Sequence, residues 1–319
     1  MPAVTYKGRS FLLGQGQTVL DALLAGGEPI PHACRAGACG ACILRATAGE
    51  VPPDAQSGLR DAWKALGYFN ACLCRPAGDL AVEPIGDGLR VQGVIEARAA
   101  LSPIIARVLV RTAEPFAAVP GQHVTLHRDG AARSYSIAAR HGDRVIELHV
   151  LRVPGGKLSP YLCDEAAPGD EIAVQGPLGH CFYVPGRPDQ PMLLAGTTTG
   201  LAPLWGVLND ALAAGHTAPI YMFHGAVDPR GLYLVSELRA LAAAHPTVRY
   251  LPSVLREAAP GMEEGSIDAV ILRHLPKTAG MRVFVCGAPD LVNTIKKKIF
   301  LAGASMRDIH TDAFLPAAS

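Results

Sequence analysis

The sequence predicts a multidomain chain of α+β and then α/β class, and three observations carry that prediction. A cluster of cysteines sits among short strand and helix patterns near the N-terminus. The middle of the chain alternates apolar with polar residues and contains a hairpin signal, which reads as an antiparallel sheet closing into a β-barrel. Beyond the proline-rich stretch Pro185–Pro191, strand-length apolar runs alternate with helix-length segments, the pattern of a doubly wound parallel sheet. The boundaries fall at 1–86, 89–186 and 190–319.

Composition excludes several classes of function. A chain of 319 residues is too long for one ordinary core, and a hydrophobic content of 49% supports buried cores in each domain. With 29 basic against 28 acidic side chains there is no excess field to attract nucleic acid or an anionic membrane. The N-terminus MPAVTYKGRS lacks an apolar signal core, and no stretch approaches a membrane span in length, so a cytoplasmic location is expected. The 8 cysteines then read as reduced thiols, several of them for metal binding, rather than as a disulfide framework. Cys163 and Cys181 are expected only to pack. A monomer is the default, since nothing in the sequence fixes an oligomeric state.

The first domain is read as strand, turn at Lys7 and Gly8, strand, and a short helix capped by Thr18. Val19, Leu20, Leu23 and Leu24 face inward and Gly26 and Gly27 end the helix. There follows C-R-A-G-A-C-G-A-C, in which Cys34, Cys39 and Cys42 have the C-x4-C-x2-C spacing of a plant-type [2Fe-2S] centre. Gly37 and Gly40 allow a tight turn that aims N–H groups at sulfur, while Ala36, Ala38 and Ala41 add little bulk. Zinc is the rival, but zinc sites more often pair two C-x2-C knuckles. Cys72 is the preferred fourth ligand, although Cys74, two residues along a strand, shares its face and fits equally on geometry. Acidic and basic residues nearly balance over residues 1–88, which suits a cluster tethered to its electron source better than a freely diffusing carrier. E-P-I-G-D-G at Glu83–Gly88 marks the boundary by its turn residues.

In the second domain Ala106, Val108 and Val110 alternate with Arg107 and Arg111, and Asp129-Gly130 signals a hairpin. Just after it lies Arg133-Ser134-Tyr135-Ser136, and further on Gly155-Gly156-Lys157-Leu158-Ser159 opens a short helix. An arginine and a glycine pair at a helix start could serve one phosphate. In the third domain strands are expected at Met192–Ala195, Ile220–Phe223, Arg249–Val254 and Arg282–Cys286. Helices are expected at Ala202–Ala214, Leu232–Ala244, Ser266–Leu275 and Pro289–Leu301. Ligands bind beyond the carboxyl ends of such strands. Three glycine-bearing segments fall there: Gly196-Thr197-Thr198-Thr199-Gly200, His224-Gly225-Ala226 and Cys286-Gly287-Ala288-Pro289. On one edge together they point to a nucleotide.

Taken together, A-C-x-C-x-P at Ala71–Pro76, R-x-Y-S at Arg133–Ser136 and C-G-x-P at Cys286–Pro289 give the whole chain a resemblance to a known family. It resembles the oxygenase-type NAD(P)H:acceptor reductases of the ferredoxin-NADP reductase superfamily that carry an N-terminal plant-type ferredoxin, such as those of benzoate dioxygenase and of methane or phenol monooxygenases. The resemblance implies a β-grasp ferredoxin-like domain, an antiparallel β-barrel flavin domain holding FAD, and a doubly wound nicotinamide domain. It implies a thiolate set of Cys34, Cys39, Cys42 and Cys72. Arg133 with Ser134, Gly155, Gly156, Lys157 and Ser159 would bind the FAD pyrophosphate, Tyr135 would pack on the flavin, and Ser136 would hydrogen-bond near its N5. Gly196, Thr197 and Thr198 would line the nicotinamide pocket, with Cys286 and Gly287 near the hydride-bearing carbon and Phe314 over the flavin ring. Gly225 and Asp228 would meet the adenosine ribose.

Function follows as an expectation from what each cofactor carries: a hydride from the nicotinamide becomes two single electrons for a protein acceptor, a Rieske dioxygenase or diiron monooxygenase component. A reductase for deoxysugar synthesis shares this domain order, and a flavin and cluster relay without nicotinamide is the rival from another class. Two departures from the family pattern are Asn70 before A-C and Val227, where NADPH-using relatives often carry arginine. Val227 offers no charge and Asp228 would repel a 2'-phosphate, so NADH is expected over NADPH, with Arg230 as the counterweight.

Overall fold

The computed structural model describes residues 1–37, 39–85 and 89–314, so Ala38 and the Gly86–Gly88 part of the expected boundary lie outside the described residues. The chain divides into two compact units, Met1–Asp87 and Gly88–Ser319.

In the first unit β1 (Ala3–Tyr6) and β2 (Arg9–Leu12) form a hairpin, followed by α1 (Val19–Ala25), β3 (Ile43–Ala48), α2 (Asp61–Ala65), β4 (Tyr68–Asn70) and β5 (Leu80–Pro84). The hairpin turn places Lys7 and Gly8 at φ 50° and 75°, as a two-residue primed turn requires. Thr18 caps α1 with a full capping box: its hydroxyl accepts the Asp21 N–H, and Asp21 accepts the Thr18 N–H in return. Val19, Leu20 and Leu23 are buried and Leu24 packs at the margin of the same core, which is drawn from this unit alone. The sheet order is β2-β1-β5-β3-β4, with β1 and β5 parallel at its centre. This is the β-grasp arrangement.

The second unit begins with six antiparallel strands: β6 (Leu89–Ser102), β7 (Ile105–Thr112), β8 (His123–Arg128), β9 (Ala131–His141), β10 (Val145–Leu151) and β11 (Glu171–Leu178). They close as a barrel in the order β10-β7-β6-β11-β8-β9. Asp129 and Gly130 form the turn between β8 and β9, both at positive φ. The segment after Gly155-Gly156 runs into a single short helical turn at Tyr161–Glu165.

The rest is β12 (Met192–Thr197), α3 (Leu201–Ala213), β13 (Ile220–Ala226), α4 (Val235–Ala244), β14 (Val248–Val254), β15 (Glu263–Glu264), α5 (Ile267–His274), β16 (Arg282–Gly287), α6 (Pro289–Leu301) and β17 (Ile309–Ala313). The parallel sheet runs β15-β14-β13-β12-β16-β17, with apolar cores on both faces. The expected helix at Leu232 starts only at Val235, because Leu232, Tyr233 and Leu234 are buried as an irregular segment and Leu234 has φ 54°. The last strand was not anticipated. Among the described residues no helix is long and apolar enough to cross a membrane.

Barrel and sheet meet where α3 crosses β9. Gly206 lies at this crossing, and a Cβ there would collide with Pro120 Cβ and sit 2.9 Å from the Ala138 carbonyl oxygen. Alanine in place of a mid-helix glycine ordinarily stabilises by about 0.5–1 kcal/mol, whereas overpacking a rigid contact costs about 1–3 kcal/mol. Gly206→Ala is therefore expected to lower the melting temperature of the flavin half. A raised midpoint in thermal unfolding would show that the contact gives way.

Candidate functional site

The cysteine loop is shaped by backbone conformations and by its own sulfur. Arg35, Gly37 and Gly40 take φ 52°, 73° and 70°, and the Cys34 Sγ accepts the N–H groups of Ala36 at 3.4 Å and Cys39 at 3.3 Å. The non-glycine Arg35 is held in that conformation with its guanidinium 3.1 Å from Asp21, the acid of the α1 capping box. Cys34 and Cys39 are exposed while Cys42 and Cys72 are buried. Burial and the Cys42 thiol push the Cys72 thiol up to about 11, opposed by the Gly37 N–H. Cys42 and Cys34 thus both act on Cys72. Cys74 is pushed up to about 12 by burial alone and has no such neighbour among the causes acting on it.

Among the described residues no three thiols converge on a single metal position. A plant-type centre does not require that, because four thiolates are shared over two irons. Four thiols, two at the surface and two beneath, with N–H groups already aimed at sulfur, fit such a cluster.

In the barrel, β9 carries Arg133, Ser134, Tyr135 and Ser136. Arg133 is half-buried and donates to the Ala132 carbonyl at 2.7 Å, and the Ser134 hydroxyl lies 3.0 Å from that of Thr125. Tyr135 packs at the margin of the barrel core, as do Tyr161 and Cys163 of the short helical turn. Its hydroxyl pKa is raised, chiefly by burial. Gly155 sits at φ 71°. A Cβ on Gly156 would lie 2.9 Å from Ser159 Oγ, which accepts the Val153 N–H at 3.1 Å, so the loop closes without room for a side chain. Lys157 is exposed on that loop. A guanidinium and hydroxyl on β9, and an ammonium and hydroxyl on a loop with no room for a side chain at Gly156, are groups of the kind that bind a pyrophosphate.

The register of the parallel sheet brings the three glycine segments to one edge: Gly196 pairs with His224 on one side and with Cys286 on the other, and Thr197 pairs with Gly225. Side chains are excluded there. A Cβ on Gly196 would lie 2.7 Å from the Gly200 oxygen, and one on Gly200 would collide with the Cys286 carbonyl. Gly287 has φ 137°, with Thr197 Oγ1 3.0 Å from where its Cβ would be, and Thr198 has φ 50°.

Strand β17 joins this edge to the barrel. Asp312 pairs with Cys286 and Ala313 with Gly287, and the Phe314 N–H donates to the Gly287 carbonyl at 2.9 Å. Asp312 in turn accepts the Ser136 hydroxyl at 2.9 Å. Burial raises the Asp312 carboxyl above its usual range, against the lowering effects of His123 and Ser136. Ser136, Cys286 and Phe314 are thus gathered by one strand. Asp312 itself was missed by sequence reasoning, because I-H-T-D-A was not read as a strand. Cys181, expected only to pack, has its sulfur 3.5 Å from that of Cys286. Burial, with the Cys181 thiol adding to it, holds the Cys286 thiol well above its ordinary value.

Asp228 stands apart, beyond β13. It accepts hydrogen bonds from the Arg230 N–H at 3.0 Å, Nε at 3.1 Å and Nη2 at 2.8 Å, and Arg256 Nη2 is 4.0 Å away. The Arg230 hydrogen bond is the main reason its carboxyl lies below the usual range. The expected counterweight is therefore engaged with the acid it was weighed against.

Three domain families match in chain order: a 2Fe-2S iron-sulfur cluster binding domain over residues 4–77, an oxidoreductase FAD-binding domain over 93–183 and an oxidoreductase NAD-binding domain over 192–297. The reductase subunit of an aromatic O-demethylase from an Amycolatopsis species is 36% identical, over 99% of both chains. The chain belongs to the oxygenase-type NAD(P)H:acceptor reductases with an N-terminal [2Fe-2S] domain. The reductase component of a naphthalene 1,2-dioxygenase/salicylate 5-hydroxylase system from a Ralstonia species is 32% identical, over 95% of this reductase and 94% of that chain. Among solved structures, an Amycolatopsis cytochrome P450 reductase superimposes with a TM-score of 0.69 at 33% identity, covering 100% of both chains. The reductase is thus a flavin and iron-sulfur oxidoreductase with modules for a [2Fe-2S] cluster, FAD and NAD(P)H. Its nicotinamide module decides against a relay that uses flavin and cluster alone.

The two candidate fourth ligands can be separated directly. Cys72→Ser is expected to abolish stoichiometric iron and the cluster EPR signal while Cys74→Ser retains both. The reverse result would make Cys74 the ligand.

Proposed function

We propose that the reductase takes a hydride from NADH and delivers single electrons to an oxygenase component, a Rieske dioxygenase or a diiron monooxygenase; the names of its relatives place those proteins in dioxygenase, monooxygenase and O-demethylase systems. Bound FAD supplies acceptance of the hydride pair, and the cluster supplies transfer of one electron at a time. The observation that carries the reading is the path from Ser136 through Asp312 to the Cys286–Gly287 edge, which brings the barrel motif and the nicotinamide edge to one site.

In this reading Arg133 and Lys157, with Ser134, Gly155, Gly156 and Ser159, hold the pyrophosphate, and Tyr135 supports the flavin ring. Ser136 keeps its hydroxyl oriented by Asp312, whose carboxyl is raised above its usual range by burial. Gly196, Thr197, Thr198, Cys286 and Gly287 leave a shallow edge against which a flat ring can lie. Cys34, Cys39, Cys42 and Cys72 hold the cluster. Since that loop belongs to a unit with its own core, Cys39→Ser is expected to remove the cluster and electron delivery to a one-electron protein acceptor. NADH-driven ferricyanide reduction should persist. Loss of both activities with FAD still bound would contradict two independent modules.

Phe314 is assigned to the face of the flavin where nicotinamide stacks, so that hydride transfer requires it to yield. Phe314→Ala should strengthen the long-wavelength charge-transfer band with NAD+ and slow coenzyme release. An unchanged spectrum and affinity would place the aromatic elsewhere.

NADH is favoured because a 2'-phosphate near Gly225 would face the ionised Asp228, with Arg230 already committed to that carboxylate. Asp228→Ala frees two guanidiniums and should shift the NADPH/NADH ratio of kcat/KM toward NADPH by about tenfold. A wild-type preference for NADPH that Arg230→Ala abolishes would overturn the assignment.

A further inference from the structure

A buried polar chain links the coenzyme loop to the flavin barrel, and neither the hydride step nor the cluster makes use of it. Glu147 and His149 on β10 lie among His141 of β9 and Arg107 of β7. Glu147 Oε2 is 2.8 Å from His141 Nε2 and Oε1 is 3.0 Å from His149 Nε2. Arg107 Nε is also 3.0 Å from Glu147, near enough to act by charge. Burial opposes the charge on Glu147, yet the bonds from His149 and His141 hold its carboxyl down at about 2. An ionised carboxylate only accepts, so His149 donates through Nε2–H, and burial keeps that ring neutral. Its Nδ1 is then an acceptor, and the Tyr233 hydroxyl lies 3.0 Å from it.

Tyr233 lies two residues past Gly231, in the segment where the sequence predicts helix and the structure has none. Leu232, Tyr233 and Leu234 are all buried and Leu234 carries a left-handed backbone, so the start of α4 is displaced to keep this segment against the barrel. The Tyr233 ring stands edge-on to His149 at 5.3 Å and edge-on to His224 at 5.6 Å. His224 is the residue that immediately precedes the coenzyme loop on β13. The loop itself is tight: a Cβ on Gly231 would lie 2.9 Å from Ala226 Cβ. Both of its ends are therefore fixed by Tyr233, one through ring contact with His224 and one through the chain.

We propose that Tyr233 is a positioning residue for the coenzyme, its hydroxyl latching the Gly225–Gly231 loop to the barrel through His149 and Glu147. This rests on the reading of that loop as the adenosine site. The latch fixes the loop in the barrel's frame, so the adenosine end of the coenzyme is bound without first ordering the loop. Its effect falls on binding of the adenosine half and leaves the reacting ring untouched.

The test is Tyr233→Phe, which keeps the ring and removes only the hydroxyl, assayed with ferricyanide using NADH and reduced nicotinamide mononucleotide, which has no adenosine. Flavin content and thermal midpoint are measured alongside. The expected result is a KM for NADH raised by about fivefold, the equivalent of one lost hydrogen bond, at unchanged kcat. The kcat/KM for the mononucleotide should stay within error of wild type. An equal loss with both donors, or no change with NADH, overturns the proposal. Failure of the underlying reading is seen separately: Asp228→Ala would then leave the NADPH/NADH ratio unchanged, and the latch falls with it.

Discussion

Where α3 crosses β9, Gly206 lets a helix backbone rest on the barrel wall, and the mutual position of flavin strand and nicotinamide edge follows from that contact. Two rigid elements in contact transmit position without tolerance, because close-packed interiors deform little. A second link is made by β17, which pairs with Cys286 and Gly287 and reaches Ser136 through Asp312, so barrel and sheet are joined at two places. Small residues recur at the strand ends of the sheet itself, where Gly196 lies against Gly200, Gly200 against Cys286 and Gly287 beside Thr197. Their common property is absence of bulk. The cost of such a joint is that neither half can drift, and an enzyme that must align two flat rings gains from that.

Local chemistry was legible in the sequence, and partnership across the chain was not. The spacing of Cys34, Cys39 and Cys42 is a property of a short loop, and the capped helix and the Asp129-Gly130 turn are equally local, so each could be read directly. Strand ends were legible because a parallel sheet must put its glycine segments on one edge. By contrast, Leu232–Leu234 reads as the first turn of a helix by period and propensity, yet burial against the barrel outweighs propensity there. Asp312 was hidden because its strand is short and half-polar, stabilised by pairing with β16 rather than by its own pattern. The contact between Cys181 and Cys286 spans 105 residues, and the saturation of Asp228 by Arg230 depends on a turn geometry that formal charge does not reveal.

The charged groups of the reductase are treated in two different ways. On the cysteine unit Asp21 serves twice, closing the capping box of α1 and holding Arg35 in its strained conformation, so a helix start and a metal loop share one carboxylate. At the barrel and sheet junction, the Glu147 carboxyl is engaged by two histidines and held below the usual range, whereas burial raises the Asp312 carboxyl above it. Each of these carboxyls has a hydrogen-bond partner, as a dry region requires.

The closed core of the first unit also bears on biosynthesis. Every residue of that core lies between Val4 and Val82, so nothing that emerges later from the ribosome is needed to complete it. Domains fold as units during synthesis, N-terminal first. The cysteine loop can therefore be shaped, and offered to the iron-sulfur loading machinery, while the flavin half is still being translated. Cluster insertion and flavin capture become separate events in time, each able to fail without the other.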